Sequence, residues 1–249
     1  MTSPTISDPH ADRRFRDLMS SLGIKPGVWS DGYVEYEWRH IRCMLLKYSA
    51  HFEGRSGLEL GCNVGATATV LALMGARVTA VDIKEEFCAL AALNASRYGV
   101  TEAVSPLCVP DTRNLPFESE SFDWITCNSV MEYIPDELRV AVQAEVMRVL
   151  RPGGLLLVFG TSSRLWPFFR KKNRPRGVWP RQFKRHFRGT EDLLLQDGGS
   201  AFFKMKAEMG LHPWIRAAIR LVAALLGPFG YSAGMLMPDM CLVLKKRPR

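Results

Sequence analysis

Residues Gly57 to Asp82 constrain this chain more than any other stretch. Gly57-Leu58-Glu59-Leu60 is a short apolar strand that breaks at Gly61. A small loop, Cys62-Asn63-Val64, leads to Gly65, where a helix begins that ends near Gly75. A second strand, Ala76 to Val81, closes on Asp82. Strand, glycine turn, helix and strand with a terminal acid make a β-α-β unit of the nucleotide-binding kind. Glycine at 61 and 65 would let a ligand approach backbone that a Cβ would cover. The helix starting at Gly65 would offer free N–H groups to a carboxylate or phosphate. A carboxylate at Asp82 could accept from both hydroxyls of a ribose.

The rest of the chain continues the alternation. Residues 1–30 read as a mobile lead-in with short helical pieces. Asp31 to Phe52 reads as helix, with Tyr33, Tyr36, Ile41, Leu45 and Tyr48 at helical intervals. A further helix spans Lys84 to Tyr98 and stops at Gly99. Strands are expected at Val104 to Val109, Trp124 to Cys127 and Leu155 to Gly160, the last apolar on both faces. Pro135 to Leu150 between them is helical, with proline at its start. Beyond Gly160 the spacing predicts helix from Glu191 to Gly210, strand from Leu211 to Ile215, helix from Ala217 to Leu226 and strand from Met240 to Leu244. The sum is an α/β chain: a doubly wound, Rossmann-like, mostly parallel seven-stranded sheet with helices on both faces. Its expected parts are a helical lead-in (1–55), a ligand-binding core (56–161), and a basic aromatic insertion with C-terminal strands (162–249).

At 249 residues the chain can bury a full core, and its 47% hydrophobic and 23% charged content is that of a globular protein. Six cysteines are scattered with no C-x-x-C pair, which reads as reduced thiols in a cytoplasmic protein, without a disulfide framework or metal site. The first 17 residues carry no apolar signal core. The longest uncharged run, Leu221 to Pro238, is full of glycine and proline, unlike a spanning helix. The net charge of +8 has one source. Arg164 to Arg188 holds ten Lys or Arg and no acid, and taking those ten away leaves −2. Its partner is expected to be anionic.

The glycines decide between ligands. Laying G-x-G-x-x-G/A on the loop puts Asn63 where backbone must meet a pyrophosphate, and no G-x-x-x-x-G-K-[ST] exists. What remains is E-x-G-x-x-x-G from Glu59 to Gly65, then Val81-Asp82-Ile83, Asp111-Thr112, Leu115-Pro116-Phe117 with Ser121-Phe122-Asp123, and Leu150-Arg151-Pro152-Gly153-Gly154. In that order these motifs resemble the class I S-adenosylmethionine-dependent methyltransferases, over roughly Ser56 to Thr161. The resemblance implies S-adenosylmethionine as methyl donor. It implies Glu59, Gly61, Cys62 and Gly65 around the methionine part, Asp82 on the ribose, Ile83 against the adenine, and Asp111 and Thr112 at its edge. It also implies Asn128 and Ser129 near the sulfonium, and Arg42 on the cofactor carboxylate.

The acceptor is less legible. In-line methyl transfer needs positioning first, and a base only if the acceptor must lose a proton. Candidate bases or pocket residues are Tyr133, Glu132 and His186, with His51 and His212 behind them. A lone histidine is more often a satisfied structural residue than a base. Asn128-Ser129-Val130-Met131 lacks the [DNS]-P-P-[YFW] of enzymes that methylate base amines. Within the basic segment, Trp166, Phe168, Phe169, Trp179, Phe183 and Phe187 interleave with the cations. Three readings stay open there: a solvated loop, a peripheral membrane surface, and a nucleic-acid surface, which is the weaker expectation. The layout is similar in general to the ubiquinone-type O-methyltransferases and implies a small hydrophobic or lipid-linked acceptor. The alternatives are a nucleic-acid-associated methyltransferase and a non-catalytic binding module.

Overall fold

The computed structural model describes residues 3–24, 33–166 and 177–248. The chain divides into two compact units, Met1–Asp111 and Thr112–Arg249. In the first unit three strands, β1 (Ser56–Leu60), β2 (Arg77–Asp82) and β3 (Val104–Cys108), run parallel in the order β3-β2-β1. In the second, β4 (Phe122–Asn128) pairs in parallel with β5 (Leu150–Ser162), and β7 (Asp239–Lys246) lies antiparallel between β5 and β6 (Thr190–Asp192). Seven strands in a mostly parallel sheet with helices are the fold that the alternating pattern predicts. Leu155 to Val158, apolar throughout, are fully buried at the centre of β5, as a strand covered on both faces requires.

The helices of the first unit are α1 (Pro9–Ser21), α2 (Val34–Lys47), α3 (Ala66–Leu73) and α4 (Glu85–Arg97). The expected mobile lead-in is, from Pro9, a docked helix. Asp8 caps α1 by accepting from the His10 and Ala11 amides at 2.8 and 3.0 Å, and Pro9 occupies the first turn. Ala11, Phe15 and Met19 form one buried stripe. The segment is held to the end of α4, where Ser7 N–H donates to the Arg97 carbonyl at 2.7 Å. Arg97 itself is fully buried. It donates through Nε to Asp12 at 2.8 Å and through Nη1 to Asn94 at 2.9 Å, with its guanidinium 4.3 Å from the Phe15 ring.

The second unit holds α5 (Asp136–Val149), α6 (Pro180–Arg185), α7 (Leu193–Gln196), α8 (Ser200–Glu208) and α9 (Pro213–Leu226). Two expectations fail here. The strand predicted at Leu211 to Ile215 is instead the entry to α9, because Pro213 stands in the first helical turn, where its fixed φ suits a helix. The helix predicted from Glu191 to Gly210 opens with the three-residue strand β6, set by its ladder to β7 (Thr190 opposite Lys246), and then breaks into α7 and α8 at Gly198-Gly199, both at positive φ. Among the described residues no helix is long and apolar enough to cross a membrane.

Candidate active site

At the end of β1 the chain leaves the sheet through Gly61 (φ 74°), whose amide, with that of Cys62, donates to the Val81 carbonyl at 2.7 and 2.8 Å. Asn63 takes φ 49°, a left-handed conformation that asparagine tolerates, and its Oδ1 accepts from Val64 N–H at 2.8 Å. Asp82 ties the loop to β2, for its two oxygens accept from the Asn63 amide at 2.9 Å and the Lys84 amide at 3.2 Å. Each oxygen keeps a further lone pair for a hydroxyl donor. From below, Asn94 Nδ2 donates to the Val64 carbonyl at 2.8 Å. Asp12, Arg97 and Asn94 therefore form a chain of polar contacts that ends at the loop.

Gly65 also has a packing role. It has φ 74°, and a Cβ there would stand 2.7 Å from the Ala91 Cβ. Its bareness serves the close approach of α4, while its left-handed turn starts α3. The start of α3 is also not open. Gly65 supplies no cap, and Glu59 reaches across from β1 to accept from the Ala68 amide and the Thr67 hydroxyl. Glu59 is 2% exposed, and its Oε2 has no protein partner among the described residues. Burial, then the negative charge of Glu37, push its carboxyl up to about 8 against those two hydrogen bonds.

The other expected residues fall as follows. Ile83 is 56% exposed just past β2. Asp111 and Thr112 are half-buried in the loop that follows β3. Arg42 lies on α2, its guanidinium 5.5 Å from the Trp38 ring and its buried Nε without a partner among the described residues. In the second unit Asn128 ends β4 opposite Phe159. Ser129 has φ 54° and donates its amide to the Phe159 carbonyl at 2.8 Å.

The acceptor-side candidates do not form one cluster. Glu132 is buried and Tyr133 is exposed. His186 lines a cavity of about 90 Å3 with Asp136, Arg139, Arg164, Gln143 and Trp179. His212 is exposed before α9, and His51 sits in the turn after α2. Asp136 pairs with both Arg139 and, at 2.9 Å, Arg164. Arg139 also holds the loop after β4 by donating to the Met131 carbonyl at 2.8 Å. The basic segment is only partly a surface. Phe168, Phe169, Arg170, Lys171 and Lys172 lie outside the described residues, but Phe183 and Phe187 are buried and pack edge to face. Lys184 is paired with Asp192 at 2.7 Å. For α6, the solvated-loop reading and the stacking of Phe183 or Phe187 on bases therefore both fail. Sequence reasoning missed Asn94 and Arg97, whose signal was two polar residues on the buried face of an alanine-rich helix. Among the described residues no group of three or more His, Cys, Asp or Glu is arranged to hold a metal.

Comparison with known proteins finds these likenesses. The family described as Methyltransferase domain matches residues 58–158. A ubiquinone biosynthesis O-methyltransferase of Paraburkholderia phymatum is 28% identical over 240 residues, covering 95% of this chain and 87% of that one. A SAM-dependent methyltransferase of Aquifex aeolicus has a TM-score of 0.52 at 18% identity, over 63% of this chain and 83% of that one. The cyclase SpnF has a TM-score of 0.60 at 20% identity, over 98% of this chain and all (100%) of that one. The two structural likenesses bear on the fold.

Proposed function

We propose that this chain, whose residues 58–158 match the family described as Methyltransferase domain, is an S-adenosylmethionine-dependent methyltransferase that methylates a hydroxyl oxygen on a small hydrophobic acceptor. The observation that carries the site assignment is Glu59, a buried carboxyl beside the glycine loop with one oxygen unpartnered by protein. Such a group fits a cationic donor, as the amino group of the cofactor is. Arg42, with its unpartnered Nε, fits the cofactor carboxylate. Asp82 holds the loop and has acceptor capacity left for ribose hydroxyls. Ile83 offers exposed apolar surface for the adenine, and Asp111 with Thr112 its polar edge. Gly61, Cys62 and Gly65 shape the loop.

When bound, S-adenosylmethionine supplies an electrophilic methyl group on a sulfonium. The protein's share is to hold the acceptor oxygen in line with it and keep water away. Exposed Tyr133 serves as rim, and Glu132 or His186 as a base for an acceptor hydroxyl. Oxygen rather than nitrogen as the acceptor is supported by the O-methyltransferase named among the relatives. The absence of a base-amine motif at Asn128 speaks against nucleic acid. Titration calorimetry tests the cofactor site: Asp82→Ala should lower S-adenosylmethionine affinity tenfold or more, since it removes both the loop anchor and the ribose acceptor. Unchanged affinity would refute the assignment. Transfer of labelled methyl to an alkylated catechol, compared with an amine of similar size, tests the acceptor; label in the amine alone would overturn it.

The hydrophobic, lipid-linked character of the acceptor is supported by α9. It buries no residue, and Trp214, Leu221 and Leu225 on it, with Phe229 just beyond, are 61–66% exposed. Helical spacing places Trp214, Leu221 and Leu225 on one side and Arg216 and Arg220 on the other. Arg220 stacks 4.5 Å from the Phe203 ring. The apolar face of α9 thus turns outward, an arrangement suited to a membrane surface.

A further inference from the structure

One face of α5 lines the cavity of about 90 Å3 that lies wholly within the second unit. Asp136, Arg139 and Gln143, at i, i+3 and i+7, are its α5 wall. Arg164, just past β5, and His186, at the end of α6, complete its charged and titratable lining. Asp136 and Trp179, both exposed, put its mouth at the surface. The two guanidiniums are fixed in place. Arg164 donates its amide to the Val178 carbonyl and its Nε to the Gly177 carbonyl, each at 2.9 Å. Its Nη2 donates to Asp136 at 2.9 Å, and its Nη1 has no partner among the described residues. Arg139 spends Nε and Nη2 on the Met131 and Ile134 carbonyls at 2.8 and 2.6 Å, and Nη1 on Asp136. Two cations against one carboxylate leave a charge of +1 before His186 is counted.

The lining asks for more than negative charge. Gln143 is 1% exposed. Its Nε2 donates to the Phe183 carbonyl at 2.9 Å, which fixes the orientation of the amide. Its Oε1 has no partner among the described residues. A buried acceptor left bare is costly, and here only a donor inside the cavity can satisfy it. The space is several times the ~10–15 Å3 that one water needs, so it admits a group of several heavy atoms. The occupant must be anionic and must also donate. An ionised carboxylate or a sulfate only accepts. A phosphate that keeps a proton does both, with charged oxygens for Arg139, Arg164 and His186 and a P–OH for Gln143. We propose that this cavity is a binding site for such a phosphate, either inorganic phosphate or a phosphate monoester. The site stands apart from the methyl-transfer reading, except that His186 then holds the anion and the base named above is Glu132.

Titration calorimetry of the full chain at about pH 6, near the second ionisation of a monoester, compares inorganic phosphate with sulfate. Phosphate should bind at least tenfold more tightly, since sulfate leaves Gln143 bare. Gln143→Leu should bring phosphate down to the level of sulfate. Arg164→Gln should weaken both anions tenfold or more, and it carries the test if Gln143→Leu does not fold. Glycerol 3-phosphate, then vesicles of phosphatidylcholine with phosphatidic acid, are scored by displacement of bound phosphate, a readout that docking through α9 does not move. Displacement by the soluble ester alone assigns a soluble monoester, displacement by the vesicles as well assigns a lipid headgroup, and displacement by neither assigns inorganic phosphate; each keeps the site. No binding of phosphate, equal affinity for phosphate and sulfate, or a Gln143→Leu protein that keeps the preference would overturn the proposal and leave the cavity to water.

Discussion

Glu59 does two jobs that pull its ionisation in opposite directions. As the cap of α3 it gains from negative charge, yet its burial favours the proton. Its ordinary value is 4.5 and its value in the fold about 8. Between these the folded chain keeps a proton that the unfolded chain has lost. Its contribution to stability is therefore complete below about 4.5, falls as pH rises, and is gone above about 8. Glu59→Gln should flatten that slope in denaturant titrations and leave the ligand-free protein more stable than wild type at pH 8, by on the order of a few kcal/mol. The same change should weaken S-adenosylmethionine tenfold or more, because a neutral amide cannot match a cation. If the cofactor ionises Glu59, binding at neutral pH releases a proton, so the heat should vary with the ionisation enthalpy of the buffer. A variant that is less stable at pH 8 and binds normally would make Glu59 a cap and nothing more. The acid itself was legible, because E-x-G fixes its place in the sequence. Its capping role was not: Thr67 and Ala68 are eight and nine residues away, and only the β1-to-α3 turn brings them together.

At the scale of elements, legibility followed length and periodicity. The apolar run of β7 and the alanine-rich α4 appear near their expected bounds, since each repeats its pattern over several turns or pleats, whereas β5 starts at Leu150, five residues before the expected Leu155. β6 shows no pattern because three residues carry none, and it exists through its ladder to β7. Leu211 to Ile215 is apolar enough for strand or helix, and the proline decides it. The polar residues 7 to 12 gave no hint that α1 would dock, because the partner, Arg97, lies 85 residues beyond Asp12. That contact now predicts a consequence at a distance. Asp12→Ala removes the partner of a fully buried cation, a change that costs about 3–5 kcal/mol when both partners are buried; with Asp12 partly exposed, the lower end is expected. Asn94 then loses its fixed neighbour, so amide exchange should quicken both in α1 and at Cys62 to Gly65. Faster exchange confined to α1 would show that the helix is a clamp on α4 without reach to the loop.

For the whole molecule, the net charge and the apolar surface speak about the same partner. Ten cations lie within Arg164 to Arg188. Of those described, Arg164 and Lys184 are taken up by Asp136 and Asp192, while Arg181, Arg185 and Arg188 are exposed. Lys184 also donates to the Gly230 carbonyl at 3.0 Å, which sets α6 and its cations beside the end of the apolar run at Phe229. Cations at headgroup level beside side chains that enter the acyl boundary would give a bilayer two additive terms: about 1 kcal/mol for each Lys or Arg at the surface, and about 25 cal/mol for each Å2 of apolar surface covered. Salt weakens the first and leaves the second. Flotation with anionic vesicles separates them. Arg170→Ala with Lys171→Ala and Lys172→Ala should reduce binding at low salt and change little at high salt. Leu221→Asp with Leu225→Asp should reduce binding at least tenfold at both. Because both leucines are largely exposed, the thermal midpoint and S-adenosylmethionine affinity of that double variant should stay at wild-type values. Binding that survives it, or that is equal on neutral vesicles, would remove the bilayer as the partner of α9. The outward apolar face would then have to be covered by protein, either a second copy or another chain, and the double variant should instead change the oligomeric mass in solution.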